Sequence, residues 1–281
     1  MKQKKLLLLI FNFLFIAARA QTLSETRAIA ELQYSQGDYE LAIPNLKRTL
    51  FFSNNNKTTQ AKTIYLLAKS YFFTRNYPEA IYYFDQAYFS LENDSLKKEC
   101  IFEKTLCLFA ESKYQLALVE ILSLDSSFQS PYFDQRRKLY LASLYYKTGD
   151  LSNSYVYFCQ LINDNQQKKE LDNYFKKAFR LQKNKPYLPM LMSFLAPGAG
   201  QFYIGDVQNG LNSFILNYAL LFAFTYTALN YTVLDASLAF IPWIFRYYLG
   251  GVRKIPQLYS QKNNAQKRVI YTKILHLIKN K

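Results

Sequence analysis

The side chains able to do chemistry are few and scattered. The only histidine, His276, lies in the C-terminal tail, and no acidic residue follows Asp235. That isolation leaves it without partners for a triad or a metal cluster. Cys100, Cys107 and Cys159 form no C-x-x-C pair, and an odd count leaves at least one thiol free or paired between chains. Cys100 and Cys107 stand seven apart on an expected helix, both directed inward, where a thiol acts as a small apolar filler. There is no H-E-x-x-H, and GAGQFYIG from Gly198 to Gly205 sits among apolar helical segments. A phosphate loop needs a preceding strand. The chain therefore reads as a non-enzyme with no cofactor and no metal, and what remains is binding chemistry. Gln201 and Tyr203 can hydrogen-bond backbone groups or head groups at a glycine-rich turn, where they read as structural caps rather than ligand-binding groups, and aromatic and cationic side chains recur at helical spacing upstream.

The elements that position those upstream side chains repeat. QGDYELAIPNLKRTL, TRNYPEAIYYFDQAY, ESKYQLALVEILSLD and KTGDLSNSYVYFCQL align, with anchors Tyr39, Tyr77, Tyr114 and Leu151 separated by 38, 37 and 37 residues. Three positions after each anchor comes a small residue (Ala42, Ala80, Ala117, Ser154), and four further on a bulky one (Leu46, Phe84, Ile121, Phe158). The preceding helix of each unit carries Ala30, Ala68, Thr105 or Ala142. Antiparallel helices approach closely only where small side chains meet, and large ones fill the hollows between neighbouring pairs. Gly37-Asp38 and Gly149-Asp150 supply the turn within two of the units.

This pattern resembles the tetratricopeptide repeat over Ser24 to Ile162, best in AKTIYLLAKSYFFTRNYPEAIYYFDQAYFSL and least in the third unit, with Thr105 and Leu124 where small residues are usual. Spacings of 37 and 38 exceed the family's period, so loops around Asn54-Asn55-Asn56 and Asn93-Asp94 are expected to be extended. The resemblance implies a concave groove lined by the first helix of each unit. Tyr34, Lys62, Tyr65, Lys69 and Phe72 would lie along one half, and Phe102, Phe109, Arg136 and Tyr146 along the other. Aromatic and basic groups together suit a protein or peptide partner with some acidic character, although some of these rings could instead pack between repeats.

Downstream the composition changes. Residues 166–187 read as a capping or connector helix with a basic end, and 188–251 as a membrane hairpin domain. Leu211 to Leu229 is 19 residues without a charge, about 28 Å at the helical rise. Val233 to Leu249 adds 17 more, with Pro242 expected to kink it and Trp243, Tyr247 and Tyr248 fit for an interfacial belt. The tail, residues 252–281, reads as a basic amphipathic helix with an apolar stripe of Val269, Ile270, Ile274, Leu277 and Ile278, suited to an anionic membrane surface. PGAGQFYIGDVQNG resembles the P-G-x-G-x-x-Y-x-G-x-x-x-x-G signature of small bacterial two-helix membrane domains. Pro197, Gly198, Gly200, Gln201, Tyr203, Gly205 and Gly210 match it. The expected fold class is all-α: a tetratricopeptide-like helical solenoid followed by a two-helix transmembrane hairpin.

Charge locates the partners. The net charge is +15, yet residues 21–175 carry 17 basic and 18 acidic side chains, whereas 176–281 carry 14 basic against Asp206 and Asp235. The excess lies beside apolar segments, so anionic lipid is the expected counter-charge and nucleic acid is not a partner. Residues 1–20 have the basic start, the apolar run Leu6 to Ala18 and the Ala18-Arg19-Ala20 end of a secretory signal. A cleaved signal exports the repeats to the periplasm, whereas the basic flanks of the hairpin favour the cytoplasm. The complete three-part signal takes precedence. The expectation is a periplasm-facing repeat scaffold on a bacterial inner membrane, holding a partner polypeptide during envelope assembly or membrane-protein biogenesis. The alternative is a lipid- or small-molecule-handling membrane protein with regulatory repeats.

Overall fold

The computed structural model describes residues 22–53, 57–124 and 130–279. The expected signal segment and the Asn54-Asn55-Asn56 loop lie outside the described residues. Among the described residues there are thirteen α-helices and no strand, and the chain divides into two compact units, residues 1–158 and 159–281.

The first unit is built from α1 (Leu23–Gln36), α2 (Tyr39–Phe52), α3 (Lys57–Phe73), α4 (Tyr77–Ser90), α5 (Asp94–Ala110), α6 (Tyr114–Ser123), α7 (Pro131–Thr148) and the start of α8 (Leu151–Leu161). From α1 to α7 each helix packs on the next. The aligned small residues sit at the crossings: Ala30, Ala42, Ala68, Ala80, Ala117, Ala142 and Ser154 are all fully buried. Thr105, in the most divergent unit, is 1% exposed and its hydroxyl donates to the Ile101 carbonyl at 2.7 Å. A hydroxyl satisfied by its own helix lets threonine serve where alanine is usual. The Ser154 hydroxyl donates across the crossing to the Ala142 carbonyl at 2.8 Å. Between these contacts Leu46, Phe84, Ile121 and Phe158 are buried, each contributing about 1.5–3 kcal/mol from area removed from water.

The turn two residues before each anchor is the same in all four units. Gly37, Arg75, Ser112 and Gly149 adopt left-handed backbone, with φ of 87°, 61°, 60° and 91°. In the first three, two hydrogen bonds close the preceding helix. Gly37 N–H donates to Tyr34 O and Asp38 N–H to Gln33 O. Arg75 and Asn76 do the same to Phe72 and Tyr71, and Ser112 and Lys113 to Phe109 and Leu108. Glycine occupies this conformation without steric cost, and arginine and serine do not. Helices α3 and α5 are 17 residues each and α7 is 18. The extended loop expected at Asn93-Asp94 is absent. Asn93 instead caps α5, accepting from the Leu96 N–H at 3.0 Å.

The second unit contains α9 (Asn165–Lys183), α10 (Tyr187–Leu195), α11 (Ala199–Ile204), α12 (Val207–Asn230) and α13 (Val233–Lys279). Asp164 caps α9, accepting from the Gln167 N–H at 2.9 Å. Helix α12 packs along α13, and α9 packs on α13 as well. One helix spans the boundary at residue 251 between the expected hairpin domain and the tail. Helix α13 runs 47 residues through Pro242, Gly250, Gly251 and Pro256, about 70 Å at the helical rise. The tail stripe is correspondingly altered: Ile270 and Ile274 are buried and only Val269 stays open, 57% exposed.

The left-handed turns generate a test on the full chain. Arg75→Gly and Ser112→Gly should each raise the denaturant midpoint, by up to about 1 kcal/mol in stability. Gly37→Ala and Gly149→Ala should each lower it by a similar amount.

Candidate functional site

Alternate helices α1, α3, α5 and α7 are joined by a ladder of ion pairs. Glu31 on α1 accepts from Arg27 at 3.0 Å and from Lys62 on α3 at 3.1 Å. Burial by itself raises the pKa of Glu31, but the Arg27 and Lys62 contacts more than offset it and hold the carboxyl below its ordinary value. Lys69 on α3 meets Glu103 on α5 at 3.1 Å, and Arg136 on α7 reaches Glu103 at 3.5 Å and Glu99 at 2.5 Å. The Arg136 guanidinium also lies 4.6 Å from the centroid of the Phe102 ring and 5.5 Å from that of Tyr140. Burial opposes its charge, yet Tyr140 and Glu99 hold its pKa above the usual arginine value.

Each groove cation expected to meet an acidic partner, Lys62, Lys69 or Arg136, therefore carries a carboxylate from a neighbouring helix. Glu99 and Arg136 are 37 residues apart, one repeat, whereas Lys69 and Glu103 are 34 apart, about one helical turn short of it. Residues about one repeat apart on alternate helices face each other, which brings the acids Glu31, Glu99 and Glu103 to these cations. Phe102 and Tyr146 are corrections. Phe102 is fully buried and Tyr146 is 7% exposed, so both belong to the interior and neither presents a face to a ligand. Tyr34, Tyr65, Phe72 and Phe109 are half-buried, each edge-on to a neighbouring ring: Tyr39, Phe84, Tyr77 and Tyr114 respectively. Cys100 and Cys107 are buried, and burial, reinforced by nearby carboxylates, pushes both thiols up to about 12. They stay protonated and unreactive at neutral pH. No group of three or more metal-binding side chains comes together among the described residues.

The glycine-rich turn of the second unit is held by one buried amide. Gln201 is 2% exposed. Its Oε1 accepts from the Ser193 hydroxyl on α10 at 2.7 Å, and its Nε2 donates to the Gly251 carbonyl on α13 at 3.1 Å. Ser193 in turn accepts from the Gly200 N–H at 2.9 Å. Gln201 thus ties three helices across 50 residues of sequence, as a structural group. The glycines permit the approach: a Cβ on Gly198 would stand 2.4 Å from the Gly210 carbonyl oxygen, and one on Gly200 1.9 Å from the Pro189 carbonyl oxygen. Gly205 ends α11 in the left-handed region, with its N–H bonded to Phe202 O and that of Asp206 to Gln201 O. This repeats the Gly-Asp turn of the first unit. Asp206 then caps α12 through Asn209, as Asp150 does through Asn153. Pro197 is half-buried beside this contact, and Tyr203 is 53% exposed. The sequence reading did not single out Ser193 or Gly251. A serine inside the apolar run MLMSFL was the available signal.

Helix α12 is long and apolar enough to cross a membrane, and its apolar side chains point outward: Phe222 is 74% and Leu229 81% exposed. The Lys262 ammonium on α13 donates to the Ile204 carbonyl at the end of α11, a favourable place for a cation. Comparison of the chain with models of known protein families, with curated proteins and with solved structures finds no match.

Two outcomes follow. In the first unit, Glu103→Leu strands the half-buried Lys69 and should cost about 1–3 kcal/mol, with much of it regained in Lys69→Met/Glu103→Leu; chemical denaturation of the four-member cycle measures this. In the second, Gly200→Ala should sharply lower the thermal stability of the detergent-solubilised chain. Gly250→Ala, whose methyl meets nothing within 4 Å, should leave it unchanged or raised by up to about 1 kcal/mol.

Proposed function

We propose that the chain is a membrane-tethered scaffold whose repeats, of tetratricopeptide type, hold a partner polypeptide at the periplasmic face of a bacterial inner membrane. The observation that carries the tether is helix Val207–Asn230, apolar yet turned outward along its length. In water that surface is unfavourable; in hydrocarbon it is the expected lining. The apolar start of α13 packs against it, and Leu234, Leu238 and Phe245 are likewise exposed, which supports a two-span hairpin. Arg246 and the cations after it then fall at the headgroup level.

The partner reading rests on the inner face of the repeats. Its cations are neutralised internally, so the groove recognises a segment through rings and hydrogen bonds rather than by charge. Tyr34, Tyr65, Phe72 and Phe109 offer half-buried aromatic edges along it. This favours an apolar or aromatic peptide over a strongly acidic one.

The test uses the full chain in cells. It should stay in the membrane pellet through alkaline carbonate extraction, and Leu221→Arg/Phe222→Arg should release it. A reporter active only outside the cytoplasm should be active when fused after Lys281. A photo-crosslinking residue in place of Tyr34 should capture a discrete polypeptide, and Tyr65→Ala/Phe72→Ala should reduce the yield at least about tenfold, a loss equivalent to about 1.4 kcal/mol of binding. Capture that is indifferent to that double variant sinks the groove.

A further inference from the structure

Helices α12 and α13 leave between them a cavity of about 480 Å³. Helix α12 lines it with Asn209, Asn212, Ser213 and Asn217, and α13 with Arg246 and Lys254. The α12 residues fall at i, i+3, i+4 and i+8, one face of the helix. The opposite face is apolar and open, with Leu211, Ile215 and Phe222 exposed. A polar stripe on an otherwise apolar helix, set against two cations, is costly beside lipid unless something occupies the space between them.

Asn217 shows that the arrangement is incomplete. It is 5% exposed, and its Nδ2 donates to the Ser213 carbonyl at 2.7 Å. That bond fixes which way the amide is turned, because the reverse orientation would set oxygen against oxygen. Oδ1 is thereby left as a buried acceptor with no hydrogen-bond partner, and buried acceptors are rarely left unpaired. Neither Arg246 nor Lys254 has a carboxylate partner among the described residues; Arg246 only rests beside the Trp243 ring, 5.8 Å from its centroid. Water could serve Asn217, but the exposed cations Arg246 and Lys254 on the same wall draw an anion once α12 stands in lipid. One ligand that satisfies all three groups carries an anion for the cations and a hydroxyl for Oδ1. A planar guanidinium beside a point-charge ammonium suits phosphate oxygens.

We propose that this cavity binds the phosphodiester headgroup of an anionic lipid that carries hydroxyls, with Arg246 and Lys254 on the phosphate and Asn217 Oδ1 accepting from a headgroup hydroxyl. A soluble glycerol phosphate shares that chemistry, but the neighbouring apolar surface of α12 makes lipid the source. The inference rests on the membrane placement of α12 and not on the partner of the repeats. That placement is read independently by carbonate extraction.

The experiment reconstitutes the full chain in nanodiscs of phosphatidylcholine and phosphatidylglycerol and measures retained lipid by native mass spectrometry. A parallel arm titrates the detergent-solubilised chain with glycerol 3-phosphate. The wild type should enrich phosphatidylglycerol over its bulk fraction. Arg246→Gln and Lys254→Gln should each lower that enrichment about fivefold, and Asn217→Leu should weaken it. Gly250→Leu fills the cavity from a position whose Cβ meets nothing within 4 Å, so it should abolish enrichment while the helical signal and elution volume stay unchanged. Saturable glycerol 3-phosphate binding lost in the same variants, without lipid enrichment, keeps the phosphate site and moves its source to a soluble ester. Absence of both, or enrichment unaffected by Gly250→Leu, overturns the proposal.

Discussion

Both units depend on bringing helix backbones closer together than most side chains allow. In the first unit the spacers are methyl groups, with Ala42, Ala80 and Ala117 fully buried where one helix meets the next. In the second the spacers are hydrogen atoms. A Cβ on Gly200 would lie 1.9 Å from a carbonyl oxygen, inside any van der Waals contact. Without these approaches Phe84 and Phe158 would not fill their hollows, and Gln201 would not reach both Ser193 and Gly251. Packing at this density tolerates no added methylene without displacement elsewhere.

The two units then treat charge differently. The first unit balances its charge between alternate helices: carboxylates at Glu31, Glu99 and Glu103 receive Lys62, Arg136 and Lys69. These contacts staple successive units together and leave a neutral, ring-edged surface. Residues 176–281 have only Asp206 and Asp235 against 14 basic side chains, so this stretch carries a large positive excess.

Some of this was legible in the chain and some was not. The buried positions at the helix crossings were, because a repeat every 37 or 38 residues displays the same small and large residues four times over. The turns were half legible. Gly37 and Gly149 announce a left-handed residue, whereas Arg75 and Ser112 adopt it with no sequence signature, held by the same two hydrogen bonds. The groove cations were legible as residue types, but their roles were not, since a free lysine and a stapled one look alike until the facing helix is placed. Phe102 and Tyr146 failed for the same reason: helical spacing gives a face, and only the neighbours decide whether that face is covered.

By itself, then, the sequence determined the helical class, the register of small against large residues, and the apolar character and membrane-spanning length of Val207–Asn230. These are local properties, set by period and composition. Tertiary structure alone decided that Gly250 and Gly251 lie within one continuous helix, that Gln201 is a structural tie, and that Asn217, Arg246 and Lys254 line one cavity. Each of these depends on which distant backbone comes within hydrogen-bonding reach, and no local pattern encodes that distance.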